Sequence, residues 1–438
     1  MNFYTKVGNV LRDIETSKIS FKTAIYNYTS YEGDRDFKKV YKLVMEVLRC
    51  KNILKQIVEN FFQFQDINNL ECFMVLCYER FFSDMVSKKK IGGKLMRMIK
   101  EKEYEIRKFI EENYKSTNFK SNQDSELMYF RVNRQIKENT AINFIISNKN
   151  NLKSDEIIDG LYSVLKTEND IVKKIFEFKN SSEVVIQTKS SALPAYLLKL
   201  ISGLKIDKND TTDVIDSCSA PGNKTLQLSE YFSQKSKIFA FEIDPRRFQI
   251  LKKNVEKNNF IKNINLLNED FLKADPTDKK FANVKVILSD PSCSGSGTFN
   301  NSLVDDDNCV NNSLSTNCCL DLAGSSLEKE KIRRLTQLAK FQIKILEHCM
   351  KFPKVKYISF STCSIFMTEN EFVVNKVLKK NKNFRLFDIF QLDQIKTKPE
   401  DGEIFHKGLT EETEKTLRTC RLCHKIDGFY VAIFERIE

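Results

Sequence analysis

The 438-residue sequence predicts an α/β fold: a doubly wound, mostly parallel, Rossmann-like sheet in the second half, preceded by a helical part and a small α+β part. Three observations carry this. After residue 210, short apolar runs alternate with amphipathic helices. Polar, turn-rich clusters follow four of those runs, which is where open α/β sheets hold ligands. The first 115 residues keep a helical rhythm without Pro or a strong strand pattern.

Residues 1–120 read as a helical domain. Val40, Leu43, Val44, Val47 and Leu48 share one helical face, and Ile53, Leu54, Ile57 and Val58 continue the rhythm. The stretch from Lys88 to Lys102, with Lys89, Lys90, Lys94, Arg97 and Lys100 between, would either track phosphates or form a solvated helix face, and the charge pattern favours the face. Residues 121–190 read as a small α+β domain, with strands at 127–133 and 184–186 and a helix near Ile142. From 191 to 438 the predicted strands are 214–215, 238–241, 264–267, 284–288 and 357–360, with helices near 224–233, 245–258, 331–350 and 369–380 and a last strand at 428–434. Residues 299–326, rich in Asn, Ser and Asp, read as a polar surface insertion, and Cys309, Cys318 and Cys319 within it lack metal-site spacing.

The net charge of +12 suits a polyanionic partner, RNA first among them, although a generally Lys-rich composition gives the same number. The twelve cysteines are irregularly spaced and MNFYTKVGNV lacks an apolar h-region, so a reducing, intracellular, soluble setting is expected. No membrane partner is expected either, since no run approaches the roughly 18–20 apolar residues of a span. Three histidines leave little room for a His-based triad or a multi-His metal site, so no metal is expected. No heptad seam points to a dimer, and a monomer is expected.

The chemistry belongs at the strand ends. Asp216-Ser217-Cys218-Ser219-Ala220-Pro221-Gly222-Asn223-Lys224-Thr225 combines a Pro-Gly turn, which allows close backbone approach, with a helix start whose N–H groups can receive the carboxylate of S-adenosylmethionine. Glu242 closes the next strand and can accept from ribose hydroxyls; Asp244 suits a helix cap better. Asp270, in Asn268-Glu269-Asp270, can take an adenine amino group. Ser289-Asp290-Pro291-Ser292-Cys293-Ser294-Gly295-Ser296-Gly297 delivers an acid, a fixed turn and a thiol, and Ser361-Thr362-Cys363-Ser364 delivers a second thiol. Thr368 and Glu371 read as a capping box for the following helix. Carbon 5 of cytosine is a poor nucleophile until a thiolate adds to carbon 6. One cysteine would make that bond and the other would assist release, while Asp290 would hold the N3/N4 edge of the base. A single cysteine is more often a small buried hydrophobe; two in polar strand-end loops beside an acid shift the balance.

These motifs, in this order and spacing, resemble the NSUN (Sun-domain) family of S-adenosylmethionine-dependent RNA cytosine-5 methyltransferases. Asn223, the Asp-Pro-Ser-Cys variant and the ending Gly428-Phe-Tyr-Val-Ala-Ile-Phe-Glu-Arg436 resemble the eukaryotic branch that acts on large-subunit ribosomal RNA in the nucleolus. The resemblance implies a nuclear, nucleolar enzyme of ribosome biogenesis. It makes Cys363 the nucleophile and Cys293 the releasing thiol, and it implies cofactor contacts from Cys218 to Lys224 and from Glu242, Arg247, Asp270 and Asp290. It also makes the α+β segment an RRM-like, RNA-binding domain. Glu242 stands where the family usually has Asp, and Thr188 where Asp is expected.

Other readings are weaker. Cys420-Arg421-Leu422-Cys423-His424 matches a haem-attachment pattern but lacks an export signal and the second pair of a zinc site. An amino-group methyltransferase would want an aromatic where Cys293 stands. An assembly factor without catalysis would have lost the nucleophile or the cofactor loop. A tRNA cytosine-5 methyltransferase would share the site and differ in substrate.

Overall fold

The structure, a computed structural model, describes residues 3–16, 24, 25, 27–29, 35–63, 65, 67, 69–83, 93–114, 127–136, 138–205, 212–258, 262–298, 326–395, 405–419 and 426–437. The chain forms two compact units, one of residues 1–122 with 299–313, the other of 123–298 with 314–438. The insertion core at 299–325 and the Cys420–His424 pattern lie outside the described residues.

In the first unit six helices are labelled: α1 (Phe3–Thr16), α2 (Arg35–Arg49), α3 (Lys51–Phe61), α4 (Leu70–Phe81), α5 (Lys94–Glu101) and α6 (Glu103–Tyr114). The predicted apolar face of α2 is buried throughout, as are Ile53, Leu54, Ile57 and Val58 of α3. Each such side chain contributes about 1.5–3 kcal/mol of burial. Asn69 opens α4 by accepting from the Cys72 amide at 2.9 Å. Gly8 of α1 lies so close to α4 that a Cβ there would come within 2.9 Å of the Cys72 nitrogen. Met96 and Ile99 of α5 point inward while Lys94, Arg97 and Lys100 are exposed, the arrangement of a solvated helix face. Lys88, Lys89 and Lys90 lie outside the described residues.

The second unit begins with β1 (Leu127–Val132), α7 (Thr140–Ser147), β2 (Leu152–Ser154), β3 (Leu161–Leu165), α8 (Asn169–Asn180) and β4 (Val184–Ile186). They form an antiparallel sheet of order β2-β3-β1-β4, the βαββαβ arrangement. Met128, Phe130 and Val132 pack under α7 and α8. The opposite face of β1 turns inward. Arg131 is 1% exposed; it donates to Gln187 at 3.1 Å and pairs with Glu230. Base stacking on this face, the usual mode of RRM sheets, is therefore closed at β1.

After α9 (Lys189–Lys205) come β5 (Asp213–Asp216), α10 (Asn223–Tyr231), β6 (Ile238–Phe241), α11 (Pro245–Glu256), β7 (Ile264–Leu267), β8 (Val284–Ser289), α12 (Ser326–Cys349), β9 (Tyr357–Thr362), α13 (Glu371–Lys380), β10 (Phe384–Leu386), β11 (His406–Lys407), β12 (Leu417–Thr419) and β13 (Phe429–Arg436). The large sheet runs β11-β12-β13-β9-β8-β5-β6-β7, with β10 also on β13. Strands β5 to β9 are parallel and β10 to β13 antiparallel. Strands β5, β6 and β9 are buried along their whole length because helices cover both faces. The order reverses between β5 and β8, which makes their carboxyl ends the switch point where such sheets bind ligands.

Candidate active site

The loop after β5 is held on every side. The Ser217 amide donates to the Leu288 carbonyl at 3.0 Å and the Ser219 amide to the Phe241 carbonyl at 2.9 Å. Gly222 takes φ 109°, a left-handed conformation that a side chain would strain, and a Cβ there would meet Leu251 at 3.0 Å. Arg247 donates to the Ala220 carbonyl at 2.8 Å and lies 3.3 Å from Glu242; Asn254 donates to the Pro221 carbonyl at 2.8 Å. Asn223 is weakly tied to the Ile186 carbonyl at 3.4 Å. Buried Asp216 accepts from Thr225 at 2.7 Å, and burial pushes its carboxyl up to about 6. Burial, then the Asp216 charge, pushes Cys218 up to about 12, so this cysteine stays a thiol.

Glu242 is 3% exposed; its Oε1 accepts from the Asp244 amide at 3.0 Å, while its buried Oε2 accepts no hydrogen bond. Asp244 caps α11 through the amides of Arg246 and Arg247. The assignment of the cap to Asp244 rather than Glu242 holds. Asp270 is half-buried and caps a short turn through the Leu272 amide at 3.0 Å.

Across the switch point, Asp290 and Lys224 meet at 2.8 Å. Lys224 also donates to Ser191 at 3.1 Å, and Ser361 donates to the other oxygen of Asp290 at 2.6 Å. Burial works against the Lys224 charge, but Asp290 outweighs it and holds the ammonium above its ordinary range. The Cys293 and Cys363 sulfurs lie 3.1 Å apart, both half-buried. The hydrogen bond with Cys363, then burial, raises Cys293 well above the ordinary thiol range, which keeps the proton on Cys293.

Both thiol loops are fastened by buried polar groups. Glu369, fully buried, accepts from the Ser294 amide at 3.0 Å and from Gln342 at 3.0 Å, and Gln342 donates to the Ser292 carbonyl at 3.1 Å. Ser294, Ser296 and Ser364 hydroxyls bond one another. The Gly297 amide donates to the Cys363 carbonyl at 2.9 Å, and Gly297 lies against Gly428 so closely that a Cβ would sit 2.0 Å from the Gly428 oxygen. Glu371 pairs with Arg418 at 2.6 Å, and Arg418 donates to the Ile365 carbonyl at 3.1 Å.

The capping box expected of Thr368 and Glu371 is not formed. The helix begins at Glu371 with Asn370 before it, and the Glu371 carboxylate turns to Arg418 instead, because both groups are buried. Thr188 accepts from the Ser191 amide at 3.3 Å at the start of α9. Sequence reasoning gave no role to Ser191, Ser361, Glu369 and Arg418. Ser361 stands inside the Cys363 motif and Glu369 six residues after Cys363, whereas Ser191 and Arg418 come from remote segments.

The family model described as 16S rRNA methyltransferase RsmB/F matches residues 202–303 and 326–435. The "25S rRNA (cytosine-C(5))-methyltransferase rcm1" of Schizosaccharomyces pombe is 29% identical over 88% of this chain and 81% of its own length. The "28S rRNA (cytosine-C(5))-methyltransferase" of Mus musculus is 33% identical over 59% of this chain, which spans only 48% of the mouse protein. The crystal structure of PH0851 superposes with a TM-score of 0.59 at 18% identity, covering 99% of this chain and 98% of that one, a likeness of fold.

Proposed function

We propose that the chain is an RNA methyltransferase of the RsmB/F (NSUN) type that forms 5-methylcytosine in large-subunit ribosomal RNA from S-adenosylmethionine, in the nucleus and nucleolus. The observation that carries this reading is the approach of Cys293 and Cys363 to 3.1 Å, beside the Lys224–Asp290 pair, at the switch point of the sheet.

The cofactor site fits its ligand. The buried Glu242 Oε2 faces the Arg247 guanidinium at 3.3 Å but accepts no hydrogen bond, and can receive a ribose hydroxyl. The turn at Gly222 leads into the N-terminus of α10, where amides can receive a carboxylate. Cys218 to Lys224 would line the methionine part, with Asp270 at the adenine. Arg247 would act by holding Glu242 and the Ala220 carbonyl, and Asp290 would face both ligands. When bound, S-adenosylmethionine supplies an electrophilic methyl group.

In the reaction, Cys363 gives its thiol proton to solvent as its sulfur forms a bond to carbon 6 of the cytosine, and the displaced π-electrons enrich carbon 5. After methylation the hydrogen of carbon 5 leaves as a proton to water, its electron pair restores the double bond, and the Cys363–carbon 6 bond breaks with its pair returning to sulfur. Cys293, holding its proton beside Cys363, assists that release. Asp290 accepts from Lys224 and Ser361, and its remaining lone pairs can hold the amino edge of the base.

The test is transfer of labelled methyl from S-adenosylmethionine to large-subunit ribosomal RNA or its precursor particle, with the product identified as 5-methylcytosine. Transfer to tRNA alone would replace the ribosomal substrate. RNA binding without transfer to any RNA or particle would leave an assembly factor.

A further inference from the structure

We propose that Glu369 is a positioning residue that assigns the roles of the two thiols: its carboxylate, set behind the Cys293 loop, keeps the proton on Cys293 and leaves the bond to carbon 6 to Cys363. This assignment rests on the cytosine-5 methyltransferase reading, which makes Cys363 the nucleophile. The two sulfurs lie 3.1 Å apart and both cysteines are half-buried, so as thiols they start alike. What differs is the charge built around each.

Glu369 closes the short turn Met367–Glu369 between β9 and α13 and is 0% exposed. Its Oε1 accepts from the Ser294 amide at 3.0 Å and from Gln342 at 3.0 Å, and its Oε2 lies 3.3 Å from the same Ser294 amide. Gln342 of α12 also donates to the Ser292 carbonyl at 3.1 Å. The residues on either side of Cys293 are thus both fastened to one carboxylate, Ser294 directly and Ser292 through Gln342. Both donors are neutral amides, which solvate a carboxylate without cancelling its charge. At a fully buried position that charge is weakly screened and acts on the neighbouring thiol. The other titratable groups around Cys293 are Cys363, at the end of β9, and Asp290, three residues earlier on the same loop. Lys224 of α10 meets Asp290 at 2.8 Å, so those two charges largely offset one another. The hydrogen bond with Cys363 and burial raise Cys293 well above the ordinary thiol range, and the Glu369 charge raises it further. Once Cys363 is bonded to carbon 6 it no longer offers a free thiol. Burial and Glu369 then remain to hold the proton on Cys293 until release.

The experiment follows alkylation of Cys293 by iodoacetamide in the full chain carrying Cys363→Ala, read by mass spectrometry of the Cys293 peptide at about pH 8.5, the ordinary thiol value. E369Q and E369D are added to that parent. A Gln oxygen at the Oε1 position keeps both 3.0 Å bonds and removes only the charge. Loss of a neighbouring like charge gives about tenfold more thiolate, and the lower nucleophilicity of a more acidic thiol takes back part of the gain. E369Q therefore labels Cys293 about threefold faster than the parent, while E369D, which keeps the charge, stays near the parent rate. A clamp without an electrostatic role predicts the reverse, since E369D is one methylene too short for its bonds and E369Q is not. Cys349, which is 0% exposed, stays unlabelled where the fold is intact, and if E369Q exposes it, E369M supplies the neutral side chain. Equal Cys293 rates in the neutral variant and the parent, or a rise in E369D that matches E369Q, overturns the proposal. The assay contains neither RNA nor S-adenosylmethionine, so its failure is distinct from a failure of methyl transfer by the wild type, which would remove the reading beneath it.

Discussion

Replacing Glu371 with Met removes the carboxylate that faces Arg418 in the interior of the catalytic unit. Glu371 is 1% and Arg418 5% exposed. The pair is bidentate, at 2.6 and 2.7 Å, and the Leu409 amide adds a bond of 3.2 Å to Glu371. Breaking a buried pair from one side costs about 3–5 kcal/mol, because the remaining charge loses its counter-ion. Arg418→Met carries a similar cost from the other side. The double variant E371M/R418M buries no stray charge, so its loss falls to roughly 0–2 kcal/mol and the coupling energy is several kcal/mol. Methyl transfer separates the roles: Arg418 also holds the Ile365 carbonyl two residues from Cys363. The double variant therefore regains stability without regaining full activity. The chain has no Trp, so hydrogen exchange of the β12 and β13 amides is the better readout. Single variants costing under about 1 kcal/mol, or a double variant as unstable as the two singles summed, would refute the reasoning.

Two further substitutions test the frame of the site. Asp216 has its carboxyl raised to about 6 by burial, against an unfolded value of 3.8, so the native state holds the extra proton and stability falls as pH rises from about 4 to 6, by up to about 3 kcal/mol. Asp216→Asn removes that slope in urea midpoints taken across the window; a slope equal to wild type would contradict it. Gly297→Ala places a Cβ 2.0 Å from the Gly428 oxygen, so it should cost about 1–3 kcal/mol and cut methyl transfer by disturbing the Gly297–Cys363 bond, which thermal unfolding and initial rates would check.

Much of the catalytic sheet was legible because its strands are short apolar runs covered on both faces. Strands β6 and β7 fall at their predicted limits, and β5, β8 and β9 within two residues of theirs. The antiparallel edge was not. Strands β10, β11 and β12 have two or three residues each, too few for a period to show; their order comes from pairing with β13 and with each other. The same limit hid β2, and β3, five residues long, buries only Leu161 and Val164 and so shows no alternation. Within the site, Cys293, Cys363, Lys224 and Asp290 could be named from local motifs, but their meeting depends on the order β9-β8-β5. Ser191 and Arg418 carry no local mark, and Ser361, although inside the Cys363 motif, shows nothing locally of its bond to Asp290. Glu371 misled because its spacing from Thr368 fits a cap, while its partner lies 47 residues away in sequence.

The most direct measurement is the denaturant-resistant protein–RNA adduct formed on large-subunit ribosomal RNA with S-adenosylmethionine by wild type, Cys293→Ala and Cys363→Ala. The account predicts that Cys293→Ala accumulates the adduct, because release is impaired, and that Cys363→Ala forms neither adduct nor 5-methylcytosine. Product or adduct persisting in Cys363→Ala would contradict it.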